Sequence, residues 1–131
     1  MKTAVLCTGL LGILLFSLGL YVSATRGRTK KIGTLPDDPA DPLFKAVRAH
    51  GNTAEYAPML AVLMLYVGAH APAAWILWTM IIVTVCRYLI ALGILVSPTL
   101  DKPHPLRFIG ALGTYVGGAI LSIIALLAGL T

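Results

Sequence analysis

LFKAVRAHGNTAEYAPMLAVLMLYVGA, residues 43–69, is one hydrophobic segment with two characters. From Ala57 onward it is almost wholly apolar and reads as a helix in lipid, yet its first half carries Lys45, Arg48, His50, Asn52 and Glu55. At ~100° per residue, Arg48, Asn52 and Glu55 fall within about 60° of one another on a helix, with Lys45 on the flank. They form one polar stripe. Tyr56 sits at its edge, and His50 points the other way.

The chain around this segment has 131 residues, of which 58% are hydrophobic and 11% charged, with a mean hydropathy of +0.89. A soluble domain carries about 25% charged residues, so the composition describes an integral membrane protein. Four hydrophobic segments lie at about 3–24, 43–69, 73–96 and 106–130. Each is near the ~20 residues that cross a ~30 Å hydrocarbon core, and single spans in lipid satisfy their backbone only as helices. The expected fold is therefore all-α, a single four-transmembrane-helix bundle over residues 1–131. Lys2, the first apolar run and "VSA" also fit a signal peptide. That run exceeds the usual 7–15 residues, however, and a basic cluster follows it directly, as behind a retained span.

The net charge of +5 does not form an aromatic-interleaved basic face, so nucleic acid is not an expected partner. It marks orientation instead. Arg26, Arg28, Lys30 and Lys31 follow the first segment, Lys102 and Arg107 lie between the third and fourth, and "GAHAPAA" between the second and third has no Lys or Arg. The positive-inside rule places the two basic loops in the cytoplasm and both termini outside. Cys7 and Cys86 lie inside apolar runs without metal-ligand spacing and read as small packing residues. His70 and His104 fall in connections and read as solvated or interfacial. Trp75 and Trp78 begin the third segment as an interfacial belt. Gly110, Gly113 and Gly117 share a face that permits close helix contact, within a subunit or between subunits.

Arg87 lies in the middle of the third segment, where an ionised side chain costs about 2.5–3.5 kcal/mol unless it is paired or hydrated. Glu55 is the only acidic residue in any segment and is its natural partner. The pair reads either as a structural ion pair or as part of a polar ligand site. Arg48 and Asn52 exceed what neutralising Arg87 requires, which turns the reading toward a site.

The stretch RAHGNTAEYAPMLAVL resembles the signature of the membrane-associated proteins in eicosanoid and glutathione metabolism, the MAPEG family, in its bacterial type. Arg48, Ala49, Asn52, Glu55, Tyr56, Pro58 and Leu60 or Leu63 carry the pattern. The resemblance implies a homotrimer in an inner membrane, with glutathione bound as co-substrate between neighbouring subunits and a lipophilic small molecule arriving from the lipid. It implies that Arg48, Asn52, Glu55 and Tyr56 hold the tripeptide, and Arg87 is counted among the glutathione-binding residues with them. Arg26 or Arg28 would reach it from the adjacent subunit and His50 from the other side of an interface. Arg107, in "HPLRF", would stabilise the glutathione thiolate. The chemistry suits the residue types: arginines match the two carboxylates of glutathione, Glu55 its ammonium, and a cation favours the thiolate.

Two departures stand beside the match. Catalytic relatives carry aromatic or histidine side chains on the third helix, one and two turns after the arginine, where this chain has Ile90 and Ile94. The loop before Arg107 is also longer. The implied function is a glutathione transferase or peroxidase acting on lipophilic electrophiles or hydroperoxides. The alternatives are a non-catalytic glutathione- or lipid-binding member and a small four-span transporter. The transporter ranks last, because the first span contains no acidic residue.

Overall fold

The computed structural model describes residues 1–130 and contains four helices: α1 (Lys2–Thr29), α2 (Pro42–Ala69), α3 (Ala74–Val96) and α4 (Pro105–Leu130). α1, α3 and α4 are each long and apolar enough to cross a membrane. α2 has the length, at 28 residues, but with its polar first half it is not among the helices apolar enough to be recognised as spans. The fold is thus a helical membrane protein with four helices, three of which would be recognised as spans from apolarity alone.

α1 runs five residues past the expected end at Ala24. Nothing in "TRGRT" breaks a helix, and Arg26 and Arg28 in the last turn complement the negative end of the helix dipole. Lys30 then adopts a left-handed conformation (φ 54°) that stops it, with Lys31 N–H donating to the Arg26 carbonyl. A helix of this length is ~42 Å, so it extends beyond a ~30 Å core. α2 starts on Asp41, whose carboxylate accepts from Leu43 N (2.7 Å) and Phe44 N (3.3 Å), with Pro42 in the first turn. Backbone N–H groups at a helix N-terminus lack partners within the helix, and the cap supplies their acceptor. Asp41 also pairs with Lys31 at 2.5 Å. Chiefly through that hydrogen bond, the Lys31 ammonium holds the Asp41 carboxyl below its ordinary 3.8.

α2 and α3 form the shared short diagonal of a rhombus. α1 packs on both, α4 packs on both, and α1 and α4 do not meet. The tightest seam joins α3 to α4. A Cβ on Gly110 would lie 2.7 Å from the Cys86 carbonyl oxygen and the Ile90 nitrogen, one on Gly113 would strike Cys86 Sγ, and one on Gly117 would strike Val83 Cγ2. From the opposite side, Gly93 admits the backbone of Arg107. The small-residue face of α4 is therefore spent on a contact within the subunit. Cys86, free and buried, is one of the side chains that fills it.

The interior has two apolar clusters. One joins Ala4, Cys7 and Leu11 to Leu60, Met64, Met80, Val83 and Leu121 near the end of the bundle that holds the termini. The other joins Leu14, Leu18, Ala49, Ile90, Ala91 and Ile94 near the basic loops. Buried Thr53, Thr84, Thr114 and Arg87 lie along the helices between them. Each threonine hydroxyl donates to the carbonyl four residues back, at 2.9, 2.8 and 2.7 Å, and is satisfied inside its own helix. A guanidinium has no such local solution. Arg87 must be satisfied across helices.

Candidate functional site

Arg87 is 1% exposed and finds its partner on α2. Its Nη2 donates to Asn52 Oδ1 at 2.7 Å and to the Asn52 carbonyl at 2.9 Å, while the guanidinium carbon stands 5.0 Å from the centre of the Tyr56 ring. Its Nε is sealed and has no partner among the described residues. The expected Glu55–Arg87 ion pair does not form: among the described residues the one salt bridge is Lys31–Asp41, and Glu55 is exposed. The physical reason is desolvation. A carboxylate taken to the depth of Arg87 would lose its water, whereas an amide oxygen and a carbonyl give the guanidinium acceptors at much lower cost. Asn52 thus faces inward and Glu55 is left outward on the same stripe.

Tyr56 is held on its other side by α4. Its ring and that of Tyr115 lie 5.9 Å apart, tilted by 52°, with the hydroxyl oxygens 3.5 Å apart. Beside this pair a groove of about 300 Å³ runs between α2 and α4, with Glu55 and the two tyrosines toward one end and Met59, Leu63, Gly118 and Ser122 along the rest. Sequence reasoning alone does not single out Tyr115. Its signal is a hydroxyl inside an apolar helix, since a Tyr O–H in such surroundings ordinarily finds a partner.

The remaining candidates are distributed around the basic end. Arg48 is exposed on α2. Lys45, on the flank of the stripe, donates to the Ser97 carbonyl at 3.1 Å, and Leu100 N–H donates to the Pro39 carbonyl at 3.2 Å, so the two basic connections are tied together. Arg26 turns into its own loop, bonding the carbonyls of Lys31 (3.4 Å) and Thr34 (3.1 Å). Arg28 is exposed, 6.0 Å from the Tyr21 ring centre, with Nη2 3.4 Å from Thr25 Oγ1. His50 lies on the opposite side of α2 from the stripe, against Gly19 of α1. Arg107 donates from Nη1 to the carbonyls of Leu100 (3.1 Å) and Lys102 (3.0 Å), bracing the connection that precedes α4. Within one chain, then, Asn52, Tyr56 and Arg87 make a joined cluster with Glu55 at its rim. Arg26, Arg28, His50 and Arg107 make none of that cluster's contacts: Arg28 stays on α1, Arg26 and Arg107 bond the adjoining connections, and His50 faces α1.

Ile90 and Ile94 are each 7% exposed and belong to the apolar cluster near the basic loops. Tyr88, next to Arg87 in sequence, turns to α1 and donates to the Leu10 carbonyl at 2.8 Å.

Four helices, three of membrane-spanning apolarity, with a polar stripe on the second helix locked to an arginine of the third, define a small helical membrane protein with a built polar centre. A sequence model of the MAPEG family matches residues 4–127, nearly the whole chain, and the protein belongs to that family. Comparison with curated proteins and with solved structures gave no significant match.

Proposed function

We propose that this protein binds glutathione and transfers it to a lipophilic electrophile, or uses it to reduce a lipid hydroperoxide. The observation that carries the reading is the division of labour on α2. Asn52 and Tyr56 are immobilised from behind by Arg87, while Arg48 and Glu55 of the same stripe are exposed and make no ion pair among the described residues. An arginine and a carboxylate left free beside a rigid polar centre suit a ligand that carries both carboxylates and an ammonium. In this reading α2 is the fourth span, the stripe faces the cytosol, and both termini lie outside a bacterial inner membrane. Three copies assemble so that Arg26 or Arg28 and His50 of one subunit approach the stripe of the next. Arg107 stabilises the thiolate, which is the nucleophile. The second substrate enters from the lipid.

A binding role without chemistry is the second reading, and the burial of Ile90 and Ile94 favours it, because that face of α3 offers the reaction only apolar surface. Calorimetry on the detergent-purified protein, run alongside conjugation of a chlorinated nitrobenzene, tests both. Glutathione binding should be lost in Arg48→Ala and in Glu55→Gln. Unchanged affinity in both variants removes the glutathione reading, and binding without turnover selects the non-catalytic one.

A further inference from the structure

Beside the connection between α3 and α4 lies an open cavity of about 290 Å³ lined by Ile90, Pro103, His104, Arg107, Phe108 and Ala111. Its two nitrogen-bearing side chains are His104 and Arg107; the rest of the wall is apolar. Arg107 is fixed by the Leu100 and Lys102 carbonyls through Nη1 alone, and its other N–H groups have no protein partner among the described residues. His104 is half-buried. Its carbonyl accepts the Phe108 N–H at 3.1 Å as α4 begins, and its Nδ1 is sealed with no partner among the described residues.

That sealed nitrogen determines what the ring offers. A proton on Nδ1 would be a buried donor without an acceptor beside the positive end of α4, which is unfavourable on both counts. The neutral ring therefore carries its proton on Nε2, the nitrogen left open. The cavity presents donors from two side chains and no acceptor side chain, against a wall of Ile90, Phe108 and Ala111. Such a lining suits a soft, polarizable anion on a short stem, and sulfur fits that description better than a strongly hydrated carboxylate.

We infer that His104 donates a hydrogen bond from Nε2 to the sulfur of bound glutathione and holds the thiolate jointly with Arg107. The inference rests on the glutathione reading above. In the step concerned, the S–H bond breaks, its electron pair stays on sulfur, the proton passes to water through the open side of the cavity, and His104 keeps its own proton. His104 is thus a donor to the nucleophile and not its base.

The test is the ultraviolet absorbance of the thiolate of bound glutathione near neutral pH, with calorimetry on the same preparations, for wild type, His104→Ala and His104→Gln. Glutamine keeps an N–H near the Nε2 position but cannot take up a proton. The thiolate fraction should fall about tenfold in His104→Ala while glutathione still binds, and return in His104→Gln. His104→Leu carries the comparison should the alanine variant unfold. Undiminished thiolate in the alanine or leucine variant, with binding intact, overturns the role of His104 and leaves the glutathione reading standing. Loss in both the alanine and glutamine variants overturns the donor assignment in favour of a base. Failure of wild type to bind glutathione overturns both readings.

Discussion

One nitrogen of Arg87 joins two atoms of Asn52, the side-chain oxygen at 2.7 Å and the backbone carbonyl at 2.9 Å. This double contact satisfies a buried cation with neutral acceptors and fixes the inward half of the α2 stripe. It predicts an asymmetry. Asn52→Ala leaves the guanidinium buried with one fewer acceptor and should destabilise by about 2 kcal/mol. Arg87→Met removes the charge along with its need for a partner, leaves only the neutral, half-buried Asn52 side chain without its donor, and should cost less. Thermal unfolding of both variants in one detergent checks this, and equal losses would argue against the contact as described.

The α3–α4 seam makes a second prediction. Gly113→Ala places a methyl group against Cys86 Sγ and should destabilise by about 1–3 kcal/mol through overpacking. Adding Cys86→Ala removes the colliding sulfur, so the double variant should recover most of the loss. Additive losses in the double-mutant cycle would show that the two residues do not meet.

Arg107 has a structural duty, bracing Leu100 and Lys102, as well as its proposed chemical one. Arg107→Lys keeps a cation but cannot reproduce the guanidinium geometry. The conjugation rate should fall at least about tenfold in Arg107→Ala and less in Arg107→Lys, with glutathione affinity largely retained in both. Full activity in the alanine variant would take Arg107 out of the mechanism.

Asp41 supplies a pH dependence outside the membrane. Its carboxyl is held below 3.8 in the folded protein, so its stabilising contribution is complete above that value and is lost as the pH falls through the lower folded value. Asp41→Asn should therefore melt at a lower temperature than wild type at neutral pH, and the gap should narrow under strongly acidic conditions. A gap that is constant with pH would show that ionisation of the carboxyl contributes nothing, since both the Lys31 pair and the cap bonds favour the charged form. Lys31→Met separates the two contributions, because it removes the ion pair and leaves the cap bonds to Leu43 and Phe44 intact.

Much of this protein is written locally. Apolar run length and the requirement that lipid-bound backbone satisfy itself determine four helices and their approximate limits, and a fixed turn of ~100° per residue determines that Arg48, Asn52 and Glu55 share a stripe. The family pattern in residues 48–63 is equally local, because it belongs to one helix. The loop-side extension of α1 was less legible: "TRGRT" is polar, and its helical state depends on where Lys30 turns left-handed.

What only the tertiary structure decided is which side chains meet between helices. Opposite charge nominated Glu55 for Arg87, but at that burial depth the cost of stripping water from a carboxylate outweighs the attraction, and Asn52 takes the place. The glycine face of α4 could serve a contact within or between subunits, and the close approach of Cys86, Ile90 and Val83 assigns it to the α3–α4 seam. Tyr115 enters the centre only because the rhombic packing brings α4 onto α2. Helix periodicity orders residues along and around one axis; the offset and rotation between axes come from how side chains of all four helices fill the interior together, which no single segment encodes.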